Sequence, residues 1–163
     1  MTAPSLFRRN TEFEIVPMRA SDCAEASVLH GAGFSRGWTD GEIQALLAQE
    51  PVFGFMARQP GRQAQPGGFV LARLVEGEAE ILTIAVQSRH RRAGIGWRLM
   101  GAVLRHLRAE GATSLFLEVD EGNAAALALY RKIGFSKVSE RAAYYDNGGG
   151  AKTTALVMRL DLG

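Results

Sequence analysis

Arg89, His90, Arg91 and Arg92 run directly into Ala93, Gly94, Ile95 and Gly96, where an apolar stripe at helical spacing begins. A turn of this kind can hold an anion. The first amides of a helix lack intrahelical acceptors and point outward, where the helix dipole favours negative charge. Glycine at 94 and 96 lets a phosphate approach the backbone with no Cβ in the way, and Arg91 and Arg92 add charge. Two familiar phosphate motifs are excluded. A G-x-G-x-x-G fingerprint begun at Gly94 needs glycine where Leu99 stands, and the Gly-Lys-Ser/Thr step of a P-loop is missing. The spacing that fits is [Arg/Gln]-x-x-Gly-x-[Gly/Ala], filled by Arg91, Arg92, Ala93, Gly94, Ile95 and Gly96. A solvated basic helix start with turn glycines is the plainer alternative.

Glu118, Asp120 and Glu121 form an acidic cluster able to attract a cationic amine. For Asp120 and Glu121 a solvated strand end is the simpler reading. Tyr144 and Tyr145 suit either the wall of a groove or cross-strand packing. Trp38 suits a groove aromatic or a core anchor. His30, His90 and His106 have no metal-ligand spacing and read as structural or surface residues; no metal is expected. Cys23 is the single cysteine, so no disulfide framework or thiolate cluster is available.

The elements that must position these residues follow from periodicity. Phe13 to Arg19 reads as a strand, and Ser21 as the N-cap of a first helix. Thr39 and Glu42 have the spacing of a capping box on a second. Two strands flank the Pro- and Gly-rich loop from Ala57 to Gly68, and a further strand covers Gly77 to Gln87. Ile95, Leu99, Val103 and Leu107 recur every fourth residue, an amphipathic helix closed by Gly111. "SLFLEVD" is a strand, and a helix follows with Asn123 as N-cap and Gly134 as its stop. Two last strands fall near Ser136 to Tyr145 and Thr153 to Leu160. The order β-α-α-β-β-β-α-β-α-β-β predicts an α/β fold with a mixed sheet and helices on both faces.

The downstream segment "LFLEVDEGNAAALALYRKIGF", Leu115 to Phe135, joins the glycine turn in a specific combined pattern. On both motifs the chain resembles the GNAT family, the Gcn5-related N-acetyltransferases, across about half its length. Within that family "TIAV", "RRAGIGWRLM", the "AYY" at Ala143 to Tyr145, the late "ALVM" and Phe34-x-x-x-Trp38-Thr39 resemble the RimI-type ribosomal-protein-alanine N-acetyltransferases. The chain departs from that group at Gly37 where Pro is common, at Asp120 where Arg is common, and at Thr154 where an acidic residue is common.

The resemblance implies a mostly antiparallel six- to seven-stranded sheet and an acetyl-CoA-dependent transfer without a covalent enzyme intermediate. It implies that the turn Arg91 to Gly96, with Trp97, holds the pyrophosphate, and that Asn123 and Tyr130 also meet the cofactor. Ile84, Ala85 and Val86 would run along the pantetheine arm like an added strand, with a backbone amide near Val86 as oxyanion donor. Glu118 would be the general base for the amine, and Tyr130 would protonate the leaving thiolate. An outward strand residue and an ordinary core tyrosine are the rival readings of those two. Trp38, Tyr144 and Tyr145 would line the acceptor groove.

The implied acceptor is a protein N-terminus, that of a small-subunit ribosomal protein beginning with alanine. A small-molecule amine acceptor and a non-catalytic acyl-CoA-binding module are the alternatives. The 163 residues suit one domain, residues 11–163, behind a loose leader over residues 1–10. A formal charge of +2 argues for neither nucleic acid nor membrane binding. Lone-cysteine usage suits a reducing cytoplasm, and monomer is the default expectation.

Overall fold

The computed structural model describes residues 13–61, 65–90, 94–144 and 152–163. The expected leader, Arg91, Arg92, Ala93 and Tyr145 lie outside the described residues. The elements are β1 (Glu14–Pro17), a 3-10 turn (Ala20–Asp22), α1 (Cys23–Gly33), α2 (Asp40–Leu47), β2 (Val52–Arg58), β3 (Gly68–Val75) and β4 (Glu78–Val86). A second 3-10 turn (Ser88–His90) precedes α3 (Ile95–Ala109), β5 (Ser114–Asp120), α4 (Ala124–Ile133), β6 (Ser136–Tyr144) and β7 (Lys152–Asp161). The order is the one the periodicities predict.

The seven strands form one sheet in the order β1-β2-β3-β4-β5-β7-β6. Every pairing is antiparallel except β4 with β5, which is parallel. That parallel pairing is short: Glu78, Ala79 and Glu80 face Ser114, Leu115 and Phe116, and there it stops. The cause lies in β4. Leu71 of β3 faces Thr83 and Ala72 faces Ile81, so Leu82 has no partner. An extra residue of this kind bends its strand and sharpens the twist. Beyond it, β4 stays with β3 and β5 stays with β7, and the two strands part.

Two cores cover the two faces. On one, Leu99, Val103 and Leu107 of α3 are fully buried against Leu115, Leu117 and Val119 of β5. Each such leucine contributes about 2–3 kcal/mol of apolar burial. On the other, Cys23 and Ala26 of α1 and Ile43 of α2 pack on Met56, Phe69, Leu71 and Ala85. Arg58 of β2 fixes α1 there by bonding Asp22 Oδ1 at 2.5 Å and Glu25 Oε1 at 2.8 Å.

Local signals are refined in two places. Ser21 is not the first cap; it sits inside the 3-10 turn, and α1 begins after Asp22. Thr39 Oγ1 accepts from Glu42 N–H at 3.1 Å as predicted, but the Glu42 carboxylate turns to Arg36 rather than completing the box.

Candidate active site

The parting of β4 and β5 leaves backbone groups facing a gap. Gln87 N–H donates to Gly67 C=O at 2.8 Å, so residue 87 points toward β3. Successive residues of a strand present their amides to opposite sides. Ile84 and Val86 therefore direct N–H and C=O away from β3, into the gap, where β5 no longer pairs with them. Ala85 turns its backbone to β3 and its side chain to the α1 and α2 core. A pairing edge only a few residues long is built to receive an extended, amide-bearing chain.

The start of α3 closes one end of this gap. Gly94 is its N-cap, at φ 72° and ψ 18°, a left-handed conformation natural to glycine. Arg98 N–H is the first to bond back, to Gly94 C=O at 3.0 Å, and among the described residues no side chain caps the helix. The amides of Ile95, Gly96 and Trp97 thus have no intrahelical acceptor. At Gly96 a Cβ would come within 3.1 Å of Leu129 Cδ2 and 3.8 Å of Val86 Cγ2, so the first turn of α3 meets β4 and α4 at van der Waals distance. The Trp97 side chain is 47% exposed, and Lys132 Nζ of α4 lies 5.3 Å from its ring centroid. Ile95 points the other way, fully buried in the core. This set fits a polyphosphate: uncapped amides, no Cβ at the closest approach, and positive charge from α4.

Alternation along β5 places Leu115, Leu117 and Val119 in the α3 core and Glu118 on the opposite face, the one that carries α1 and α2. Glu118 is not alone there. Arg141 of β6 reaches across β7 and clasps it with two bonds, Nε to Oε1 and Nη2 to Oε2 at 2.9 Å. Nothing local in the sequence signals this partner, which comes from the strand order that sets β7 between β5 and β6. Asp120 accepts from Gly122 N–H at 2.7 Å and shapes the turn into α4. Asn123 Oδ1 then caps α4 through Ala126 N–H at 3.2 Å.

Tyr130 comes from the other face. It is 5% exposed, packed in the α3 core edge-on to Phe135. Burial pushes its phenol up to about 12, so it holds its proton at neutral pH. Glu118 and Tyr130 thus lie on opposite faces of the sheet, twelve residues apart in one β5-α4 unit.

On the Glu118 face, the segment after α1 forms an aromatic wall. Trp38 is partly buried against the second core, and Phe34 is 44% exposed. The His30 ring lies between them, 4.0 Å from Phe34 and 4.7 Å from Trp38, nearly parallel to both. A Cβ at Gly37 would fall 2.6 Å from Gly31 Cα, so this loop lies too close to α1 for any other residue. That accounts for the glycine where the resembled group commonly carries proline. His30 proves deeply buried rather than superficial. Tyr144 closes β6. Among the described residues no group of His, Cys, Asp and Glu could hold a metal.

The Acetyltransferase (GNAT) family profile matches residues 24–135, most of both faces of this site. The chain is 34% identical over 113 residues to the [ribosomal protein bS18]-alanine N-acetyltransferase of Escherichia coli, covering 69% of this chain and 74% of that one. The crystal structure of the ribosomal-protein-S18-alanine N-acetyltransferase from Escherichia coli superposes with a TM-score of 0.83 at 27% identity, over 93% of this chain and 94% of that one. Ard1 from Thermoplasma volcanium superposes at 0.79 and 25% identity, over 93% and 98%. A bulged β4 parted from β5, an uncapped glycine turn at its mouth and these matches together place the chain in the GNAT family, as an N-acetyltransferase.

Proposed function

We propose that this enzyme moves the acetyl group of acetyl-CoA directly to the α-amine of a protein N-terminus, that of a small-subunit ribosomal protein beginning with alanine. The observation that carries the reading is the gap between β4 and β5. It offers Ile84 and Val86 backbone groups that β5 no longer pairs with and an open helix start at one end, and we assign Glu118 and Tyr130, from the two faces of the sheet, to act at it. The relative from Escherichia coli is named for the same acceptor class.

Acetyl-CoA, when bound, supplies an acyl group activated as a thioester. The residues of the chain do the rest. The amides of Ile95, Gly96 and Trp97, with Arg91 and Arg92, bind the phosphates. Ile84 and Val86 pair with the pantetheine amides, and a Val86 N–H aimed at the carbonyl oxygen meets the charge that develops there. An α-amine has an ordinary pKa of about 8, so a modest base suffices, and Glu118 takes that proton directly or through one water. Tyr130, protonated at neutral pH, is in the right state to give a proton to the departing sulfur. A thiolate leaving into the same buried surroundings is itself poorly solvated, which favours its protonation by a neighbouring donor. Trp38 and Phe34 line the acceptor side, and the family resemblance assigns Tyr144 and Tyr145 the same role. Among the described residues no helix is long and apolar enough to cross a membrane; we place the enzyme in the cytoplasm, acting as a monomer.

The test is mass spectrometry of transfer from acetyl-CoA to short peptides with a free N-terminal alanine, the same peptides with blocked ends, and a polyamine. Acetylation of the free alanine alone is the expected result. Acetylation of the polyamine alone would discard the peptide acceptor. Glu118→Gln should still bind acetyl-CoA while kcat falls about 10²- to 10⁴-fold; undiminished turnover would remove Glu118 from the mechanism.

A further inference from the structure

We propose that His30 is a positioning residue for the acceptor: one imidazole ties the Phe34–Trp38 wall to β4 beside the open Ile84 and Val86 amides. Taking that wall as the acceptor's rests on the function proposed above. The tie itself rests on geometry.

Trp38 N–H donates to His30 Nδ1 at 3.0 Å. Nδ1 is therefore unprotonated, and the ring's single proton sits on Nε2, 3.1 Å from Thr83 Oγ1. His30 is 2% exposed, and burial lowers its pKa, against a smaller opposing pull from Glu42. The neutral ring is thus the resident form, and each nitrogen has one defined role. Trp38 C=O is held as well, accepting from Ser27 Oγ at 2.7 Å. Both backbone groups of Trp38 are thereby fixed by α1 side chains. Thr83 follows the bulged Leu82 and precedes Ile84, so the ring anchors on β4 where that strand bends away from β5. Phe34 and Trp38 each stack on this ring. A displacement of this ring shifts the wall relative to the strand that holds the pantetheine arm. Nothing in it touches the reacting atoms.

Three substitutions divide the device. His30→Asn keeps an acceptor near the Nδ1 position, and His30→Gln keeps a donor near the Nε2 position. Thr83→Val removes only the β4 anchor, at nearly constant shape. The measurements are steady-state KM for an alanine-terminated peptide and for acetyl-CoA, and amide hydrogen exchange over residues 34–38. Thr83→Val and His30→Asn should raise the peptide KM about tenfold with acetyl-CoA KM and kcat within about twofold. His30→Gln should speed exchange at Trp38 about tenfold or more. The proposal is overturned by unchanged exchange at Trp38 in His30→Gln, and equally by peptide and acetyl-CoA KM values that move together in Thr83→Val, which marks a general packing defect. A wild-type enzyme that acetylates no peptide defeats the acceptor reading instead. Peptide transfer by the wild type with an unmoved KM in Thr83→Val defeats this inference alone.

Discussion

Gly94→Ala isolates the conformational demand of the glycine turn. A Cβ at this position meets nothing within 4 Å, so no clash contributes. What remains is the left-handed backbone at φ 72°, which costs a residue with a Cβ about 1–2 kcal/mol. That cost can appear in two places. If alanine keeps the conformation with and without ligand, the fold bears it, and Tm falls about 2–4 °C per kcal/mol for a chain of this size. If the free protein relaxes the turn, the strain returns when the Ile95, Gly96 and Trp97 amides must be aimed at a phosphate. Binding then weakens about 5- to 30-fold. The second partition is expected, because Gly94 is exposed and among the described residues no side chain caps the helix there. Calorimetric Kd for acetyl-CoA and thermal unfolding on the same samples read both terms, and their sum should come to about 1–2 kcal/mol. A Kd within twofold together with an unmoved Tm refutes any need for the left-handed turn. A loss beyond about a hundredfold, near 2.7 kcal/mol, shows that glycine does more than permit a dihedral angle.

Tyr130→Phe should lower kcat about 10²-fold or more while acetyl-CoA KM stays within a few-fold, measured by thiol release. The same phenol, raised to about 12, favours the fold fully below its ordinary value of 10 and loses that contribution as pH climbs from 10 to 12, so Tyr130→Phe should flatten this part of the alkaline Tm profile. Arg141→Ala should cost under about 1 kcal/mol of stability because the pair is exposed, yet lower kcat about tenfold by releasing Glu118; Arg141→Lys, lacking the fork, should recover only part of it. His30 runs in the acid direction: its folded pKa lies below the ordinary 6.5, so its contribution is complete above pH 6.5 and is lost as pH falls through the lowered value. Tm of wild type and His30→Asn should therefore differ in slope only on the acid side.

The elements of the proposed cofactor side are legible in the sequence because short segments carry them. The fourfold spacing from Ile95 to Leu107 announces α3, and Gly94 and Gly96 announce its open start. Glu118, Asn123 and Tyr130 share one β5-α4 unit, so their spacing is fixed by local geometry. The acceptor side is assembled differently. The apolar run from Ile81 to Val86 hides the bulge at Leu82, since its unpaired status is a fact about β3 across from it. Arg141 meets Glu118 only because β7 enters the sheet between β5 and β6, an order no periodicity encodes. His30 looks unremarkable on α1 until Thr83, fifty-three residues away, is set under it.

This division bears on how the enzyme can change. On the proposed mechanism, a substitution in the glycine turn or the β5-α4 unit strikes a local motif that the reaction needs whatever the acceptor. Arg141, Thr83 and Gly37 are held by long-range register and close approach. They can shift the acceptor wall or the seat of Glu118 and leave the phosphate cradle as it is. Acceptor selectivity should therefore vary through the sheet order and the α1 loop, whereas the commitment to a CoA thioester stays with the gap between β4 and β5.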